Sequence, residues 1–231
     1  MLANLRLRTE FMIAPFRSLL RRCAITLLVA ALAVVLCYFF VDRPVAYWVH
    51  SHDTSTYVML KWITLLPPIV QAWTPAILAL LVIGRAWRPW SRGQRALAAG
   101  CIAMVLADQC RESLSYVFGR YWPETWIDDN PSLIGMGAYG FHPFHSGSAY
   151  GSFPSGHMTR TLAVMAVLWV AWPGGRVLAV LISTAMAVSL IGMNYHFVGD
   201  VIAGSAIGII FGLSAAEISA SSSGVASAPR D

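Results

Sequence analysis

Two short segments of this chain carry residue types able to handle a phosphate-like anion. The first, Phe153-Pro154-Ser155-Gly156-His157, stands immediately before a long apolar run. Ser155 is placed as an N-cap, Gly156 lets the backbone approach a ligand closely, and the free N–H groups of a helix's first turn attract an anion. His157 then lies beside that anion as a candidate proton donor. A Ser-Gly-His at a helix start is equally a plain cap, so this segment alone leaves both readings open. The second segment, Asn194-Tyr195-His196-Phe197-Val198-Gly199-Asp200, puts a histidine and an aspartate four residues apart on one helical face. There the carboxylate can fix the imidazole tautomer and stabilise its charged form. For a lone pair of this kind a structural hydrogen bond is the alternative, and the case for chemistry rests on what brings the two segments together.

That task falls to apolar helices. Of 231 residues, 57% are hydrophobic and 12% charged, half the charge of an ordinary soluble domain, so most of the chain must face lipid. About six stretches approach the 20 residues a helix needs to cross the hydrocarbon: roughly 23–41, 68–87, 96–118, 156–172, 177–194 and 200–217. A short interfacial helix is expected near about 55–65. Backbone groups in lipid must be satisfied internally, which predicts an all-α, six-transmembrane helical bundle. The first run follows Arg6, Arg8, Arg17, Arg21 and Arg22 like a signal peptide. It is as long as a span, however, and ends in Tyr38-Phe39-Phe40-Val41-Asp42-Arg43-Pro44, not in small residues, and so reads as a retained helix.

Arginines set the orientation. They precede the first span, fill the loop between the second and third (Arg85, Arg88, Arg92, Arg95) and mark the Pro173-Gly174-Gly175-Arg176 turn. Both termini are therefore expected in the cytoplasm of a multi-pass plasma (inner) membrane protein, with His157 and His196 delivered to the outer, periplasmic-type side. Residues 1–22 read as a basic cytoplasmic segment, 23–218 as the membrane domain, and the Ser/Ala/Gly-rich 219–231 as a disordered tail. The net charge of +5 comes from arginines at span ends and a single lysine, Lys61, which is membrane topology and not a nucleic-acid stripe. Cys23, Cys37, Cys101 and Cys110 sit in or beside apolar segments, without disulfide or metal spacing.

The long outer loop, about 119–154, holds Trp122, Trp126, Tyr139, Phe141, Phe144 and Tyr150 with Glu124, Asp128 and Asp129. Aromatic residues at this level anchor the membrane interface, and a headgroup lid is the functional alternative. His142-x-x-His145 has the look of a metal pair, but loop spacing alone is weak evidence for one, and no metal or cofactor is expected. Asp108, Arg111 and Glu112 read as an intramembrane ion-pair network, with Arg111 leaning toward the cytoplasm and away from the site.

With these segments in place the chain resembles the type 2 phosphatidic-acid phosphatases, or lipid phosphate phosphatases, whose fold also occurs in vanadium haloperoxidases. The resemblance covers most of the chain. It rests on Pro154-Ser155-Gly156-His157, on His196-x-x-x-Asp200 followed by Val201-Ile202-Ala203-Gly204, and on Gly119-Arg120-Tyr121-Trp122-Pro123 at the family's first motif. It implies metal-free hydrolysis of a lipid phosphate or pyrophosphate monoester through a phosphohistidine. His196 would attack phosphorus, Asp200 orient it, and His157 protonate the leaving alkoxide and then help activate water, while Ser155 and Gly156 donate to the phosphoryl oxygens.

Three cations of the family pattern are missing. Ser115 stands where the first motif has lysine, Trp122 where it has arginine, and the third motif reads Ser189-Leu190 in place of Ser-Arg. Arg120, in the same loop, and Arg160, one turn after His157 on the same face, are the expected substitutes for phosphate binding, with Arg111 a weaker candidate. The expected partners are membrane lipids and a lipid phosphate or polyprenyl pyrophosphate substrate. The rival readings are a lipid phosphotransferase using the same histidine, a non-catalytic membrane protein that has lost the clamp, and a transporter.

Overall fold

The computed structural model describes residues 2–126 and 129–225, with side chains from 16 to 220; Asp128 lies outside the described residues. Nine α-helices order the described chain: α1 (Leu2–Leu36), α2 (Asp42–Ser51), α3 (Val58–Thr64), α4 (Leu66–Arg85), α5 (Arg92–Phe118), α6 (Leu133–Met136), α7 (Gly156–Ala171), α8 (Arg176–Gly192) and α9 (Val198–Val225). A π-turn, Cys37–Val41, joins α1 to α2 without a break. Among the described residues the long loop between α5 and α7 contains isolated bridges and no strand.

The ends follow from local chemistry. Ser91 starts α5 with a capping box, its hydroxyl taking the Gln94 N–H while the Gln94 side chain takes the Ser91 N–H. Ser155 caps α7. Pro67 and Pro68 occupy the first turn of α4, where a missing N–H costs nothing. Asn194, at φ 54°, turns the chain out of α8 toward α9 in a left-handed conformation that asparagine tolerates well. The short helix expected near 55–65 is α3. The expected tail after Ser219 instead continues α9 to Val225, and residues 226–231 lie outside the described residues.

Four helical stretches, Phe16–Ser51, Val58–Arg85, Pro173–Gly192 and Val198–Ala220, are long and apolar enough to cross a membrane. Leu28, Val29 and Leu32 on α1 and Val177 and Leu181 on α8 stand exposed on the outside. Such an apolar exterior needs lipid around it, and the chain is an integral membrane protein.

Helices α5, α7 and α9 pack together at the centre, with α1 against α9, α8 against α7 and α4 against α5. The core between them is built of small residues, Ala99, Ala103, Ala107, Ala163 and Ala216 with Met104, Val167 and Ile207. Along α9, glycines recur every fourth residue. A Cβ at Gly204 would stand 2.4 Å from the Ser155 carbonyl oxygen, one at Gly208 2.5 Å from that of Thr159, and one at Gly212 2.5 Å from that of Ala163. The two backbones thus lie in direct contact, the way helices associate in lipid, where hydrophobic driving force between them is absent. The Thr159 hydroxyl spans the seam, lying 2.9 Å from the Ser155 carbonyl and 3.2 Å from that of Gly204. Gly208→Ala is expected to lower stability by about 1–3 kcal/mol through overpacking, read as a fall in the thermal midpoint of the detergent-solubilised protein. Gly84→Ala on α4, where a Cβ meets nothing within 4 Å, should leave that midpoint unchanged or raise it.

Candidate active site

The glycine seam brings the start of α7 beside the start of α9. The Phe153–Pro154 peptide is cis, and Ser155, fully buried, accepts the Met158 N–H at its hydroxyl and gives its own N–H to the Asp200 carbonyl at 3.0 Å. Its backbone donor is therefore committed to the fold. The amides of Gly156 and His157, in the first turn, are left for a ligand. The His157 ring stands edge-on to that of His196, with ring centroids 6.2 Å apart. A gap of that size can hold a reacting atom about 3 Å from a nitrogen of each.

His196 is 4% exposed. Its Nδ1 lies 2.9 Å from the Ser152 carbonyl, which accepts its proton, and 3.7 Å from Asp200 Oδ2. The carboxylate thus orients the ring through Ser152: Asp200 Oδ2 accepts the Ser152 hydroxyl at 2.6 Å and the Phe197 N–H at 2.9 Å. With the proton on Nδ1, Nε2 is the ring's nucleophilic atom. Ser152 lies outside every motif in the sequence, and its only signal is its position between two aromatic, proline- and glycine-rich turns.

Arg120, expected at the phosphate, is turned the other way. It is 0% exposed, its Nη1 donates to Asp200 Oδ1 at 2.5 Å and its Nη2 to Asp42 Oδ2 at 2.6 Å. Burial works against its charge, but Asp200 and Asp42 outweigh it and hold the guanidinium pKa above the ordinary arginine value. Two carboxylates take both terminal nitrogens and turn the guanidinium away from the phosphate, while its Nε, like those of Arg111 and Arg160, is buried with no acceptor among the described residues. Tyr139, whose phenol burial pushes up out of its usual range, donates to the Tyr38 carbonyl at 2.6 Å and accepts from Arg120 at 3.2 Å.

The cations beside His157 are Arg160 and Arg111. Both reach Asp108, Arg160 at 3.0 Å and Arg111 at 3.3 Å, and Gln71 of α4 donates to the same carboxylate at 2.7 Å. Arg111 also pairs with Glu112. Its side chain does not lean away from the site: a Cβ on Gly156 would stand 3.2 Å from its Nε and 3.3 Å from its Cζ. Gly156 makes room for the guanidinium, and Asp108, one turn back, supplies its counter-charge. In both arginines Nε is buried and has no acceptor among the described residues. Two N–H donors beside the α7 N-terminus are thus unspent.

Trp122 occupies the place expected for a clamp arginine and instead roofs His196, with ring centroids 5.2 Å apart. Its indole N–H donates to the Ser148 carbonyl at 2.7 Å. Trp126 stands edge-on to Trp122 at 5.0 Å and packs on Tyr195 at 4.8 Å. His142 and His145 lie apart from this site: His142 rests 4.2 Å from Tyr121 and His145 5.0 Å from Tyr150, between ring centroids. Among the described residues no three metal-ligating side chains converge.

Similarity to known proteins points the same way. The chain is 36% identical over 100 residues to a lipid A 1-phosphatase of Rhizobium johnstonii, covering 43% of this chain and 38% of that protein. It is 34% identical over 100 residues to a lipid A 1-phosphatase of Rhizobium etli, covering 43% and 40%. The matched stretch is thus about two fifths of the length of these curated relatives. The crystal structure of a transmembrane PAP2-type phosphatidylglycerolphosphate phosphatase from Bacillus subtilis shares the fold, with a TM-score of 0.52 at 16% identity over 86% of this chain and 96% of that one. Residues 96–221, more than half of the chain and containing α7, most of α9 and both histidines, match the PAP2 superfamily, and the chain belongs to that family.

Proposed function

We propose that the protein is a membrane-embedded lipid phosphate phosphatase that works through a phosphohistidine. The observation that carries this reading is the meeting of His157 and His196, 6.2 Å apart, at a helix N-terminus flanked by two arginines with unspent donors. In the first step the lone pair of His196 Nε2 attacks phosphorus and the bond from phosphorus to the lipid oxygen breaks. His157 gives its proton to that oxygen, releasing the lipid alcohol. In the second, His157 takes a proton from water, the water oxygen attacks phosphorus and the P–N bond breaks, which releases phosphate and restores both histidines.

The clamp consists of the Gly156 and His157 amides, the Ser155 hydroxyl, Arg160 and Arg111. Phosphoryl transfer depends mainly on such fixed donors around the equatorial oxygens. Arg111 and Arg160 stand in for the three absent cations. A groove of about 590 Å³ between α4, α5 and α7 begins at Val70, Met104 and Val164, near Gln71 and Asp108, and extends to Arg92 and Trp172 at the far end of these helices. It offers the apolar part of a lipid substrate a place beside its phosphate. The names of the Rhizobium relatives favour a phosphorylated glycolipid of the lipid A type as the first substrate to try.

The arginine distribution supports six spans, with α5 and α7 added to the four apolar stretches, both termini in the cytoplasm and the site at the outer face. A reporter fused after Met136, in the α5–α7 loop, is expected to read as external and one fused after Arg88 as internal; the reverse would overturn this orientation.

Phosphate release in detergent from lipid A, phosphatidic acid, phosphatidylglycerol phosphate and polyprenyl pyrophosphate is the direct test. Release from at least one, abolished by His196→Ala and His157→Ala, is expected, and Arg160→Ala and Arg111→Ala should each lower the rate about tenfold or more, as loss of a charged donor does. Wild-type release no higher than that of His196→Ala on every lipid would end the hydrolase reading. Arginine variants as fast as wild type would end the substitute clamp alone.

A further inference from the structure

The reaction above uses Asp200 but gives no work to the two groups buried behind it. Arg120 lies in an aromatic cage, its Cζ 4.3 Å from the ring centroid of Phe197, 4.9 Å from Phe141, 5.4 Å from Tyr139 and 5.5 Å from Tyr38. Each terminal nitrogen meets a different carboxylate, Asp200 at 2.5 Å and Asp42 at 2.6 Å. Asp42, brought in from the start of α2, also accepts the Gly199 N–H at 2.9 Å and so caps the first turn of α9 from outside that helix. The main chain of Arg120 works on the same target. Its N–H donates to the Tyr150 carbonyl at 2.8 Å and its carbonyl accepts the Ser152 N–H at 3.2 Å.

Ser152 is therefore gripped at two points by one residue. Its N–H is held by the Arg120 backbone, and its hydroxyl is held by the carboxylate that the Arg120 side chain fixes. Its carbonyl is in turn the partner of His196 Nδ1. A cation that merely tied the loop down would need one carboxylate and no hold on Ser152.

We propose that Arg120 and Asp42 are positioning residues, which hold Asp200 and Ser152 so that His196 keeps its proton on Nδ1 and presents Nε2 to phosphorus. The proposal rests on the hydrolase reading for its kinetic consequence, but the geometry of His196 is measurable without turnover. Removal of Arg120 leaves two buried carboxylates facing one another, which endangers folding. Asp42→Asn and Arg120→Lys are therefore the informative variants. Asp42→Asn keeps an acceptor for Gly199 while losing the charge, and Arg120→Lys keeps the charge while losing the two-way fork.

Both should remain monodisperse in detergent. Their kcat should fall roughly ten- to a hundredfold, as when the group supporting a reactive imidazole is changed, with KM and competitive inhibition by inorganic phosphate within about twofold of wild type. In ¹⁵N-histidine NMR spectra, with His196 assigned from His196→Gln, the wild type should show one Nδ1–H tautomer and the variants a mixture. A raised KM and weakened phosphate inhibition at unchanged kcat would place Arg120 on the substrate and overturn the proposal, as would wild-type kcat and an unshifted tautomer in folded variants. A tautomer shift in a protein that releases no phosphate from any lipid would retain the positioning role and remove the hydrolase reading.

Discussion

The contact between α7 and α9 is the constraint on which the site depends. His157 begins one helix and His196 precedes the other, 39 positions apart in sequence, and neither is useful unless those helices keep a fixed separation and register. In lipid the separation is set by how closely the backbones can approach, and Gly204, Gly208 and Gly212 let them touch. Thr159 then converts contact into register, since its hydroxyl reaches carbonyls on both helices. Larger side chains along this seam would press on the carbonyls of Ser155, Thr159 and Ala163 and move the two imidazoles apart.

Around that seam the charged groups divide into two sets of opposite purpose. Arg120 with Asp42 and Asp200 is closed, with every terminal nitrogen of the guanidinium facing a carboxylate. Arg111 and Arg160 instead share the one carboxylate of Asp108, with Glu112 beside Arg111. Buried ion pairs add little stability over apolar packing, and their worth lies in specifying geometry. On the proposed reaction, the first set supports His196 and the second lies beside His157.

Helix positions and the two histidine segments were legible in the sequence because both express local rules. Apolar length marks the helices, and Ser155-Gly156-His157 carries its spacing within one turn. His196 and Asp200 do come together, though not on one helical face as expected, since His196 lies before α9 and its Nδ1 goes to Ser152. The roles of the arginines were not legible, because those are settled by partners far away in the chain. Arg120 finds Asp42 and Asp200, 78 and 80 residues distant. The rule that helical side chains lean toward the N-terminus misplaced Arg111, since a long side chain next to an absent Cβ at Gly156 can lie the other way. Asp42 left no trace of its role, because Arg43 follows it directly and offers a local partner, and nothing in the sequence joins it to Arg120.

Trp122 has a consequence for the order of events at His196. Its ring lies over the imidazole and leaves it 4% exposed, so bulk water has no straight path to the nitrogen that would carry the phosphoryl group. On the proposed reaction, a phosphohistidine at His196 is shielded on the side of the indole, which leaves the side of His157 for the water that resolves it. The departing alcohol and the arriving water would then share one approach, so that the first must clear it before the second can enter.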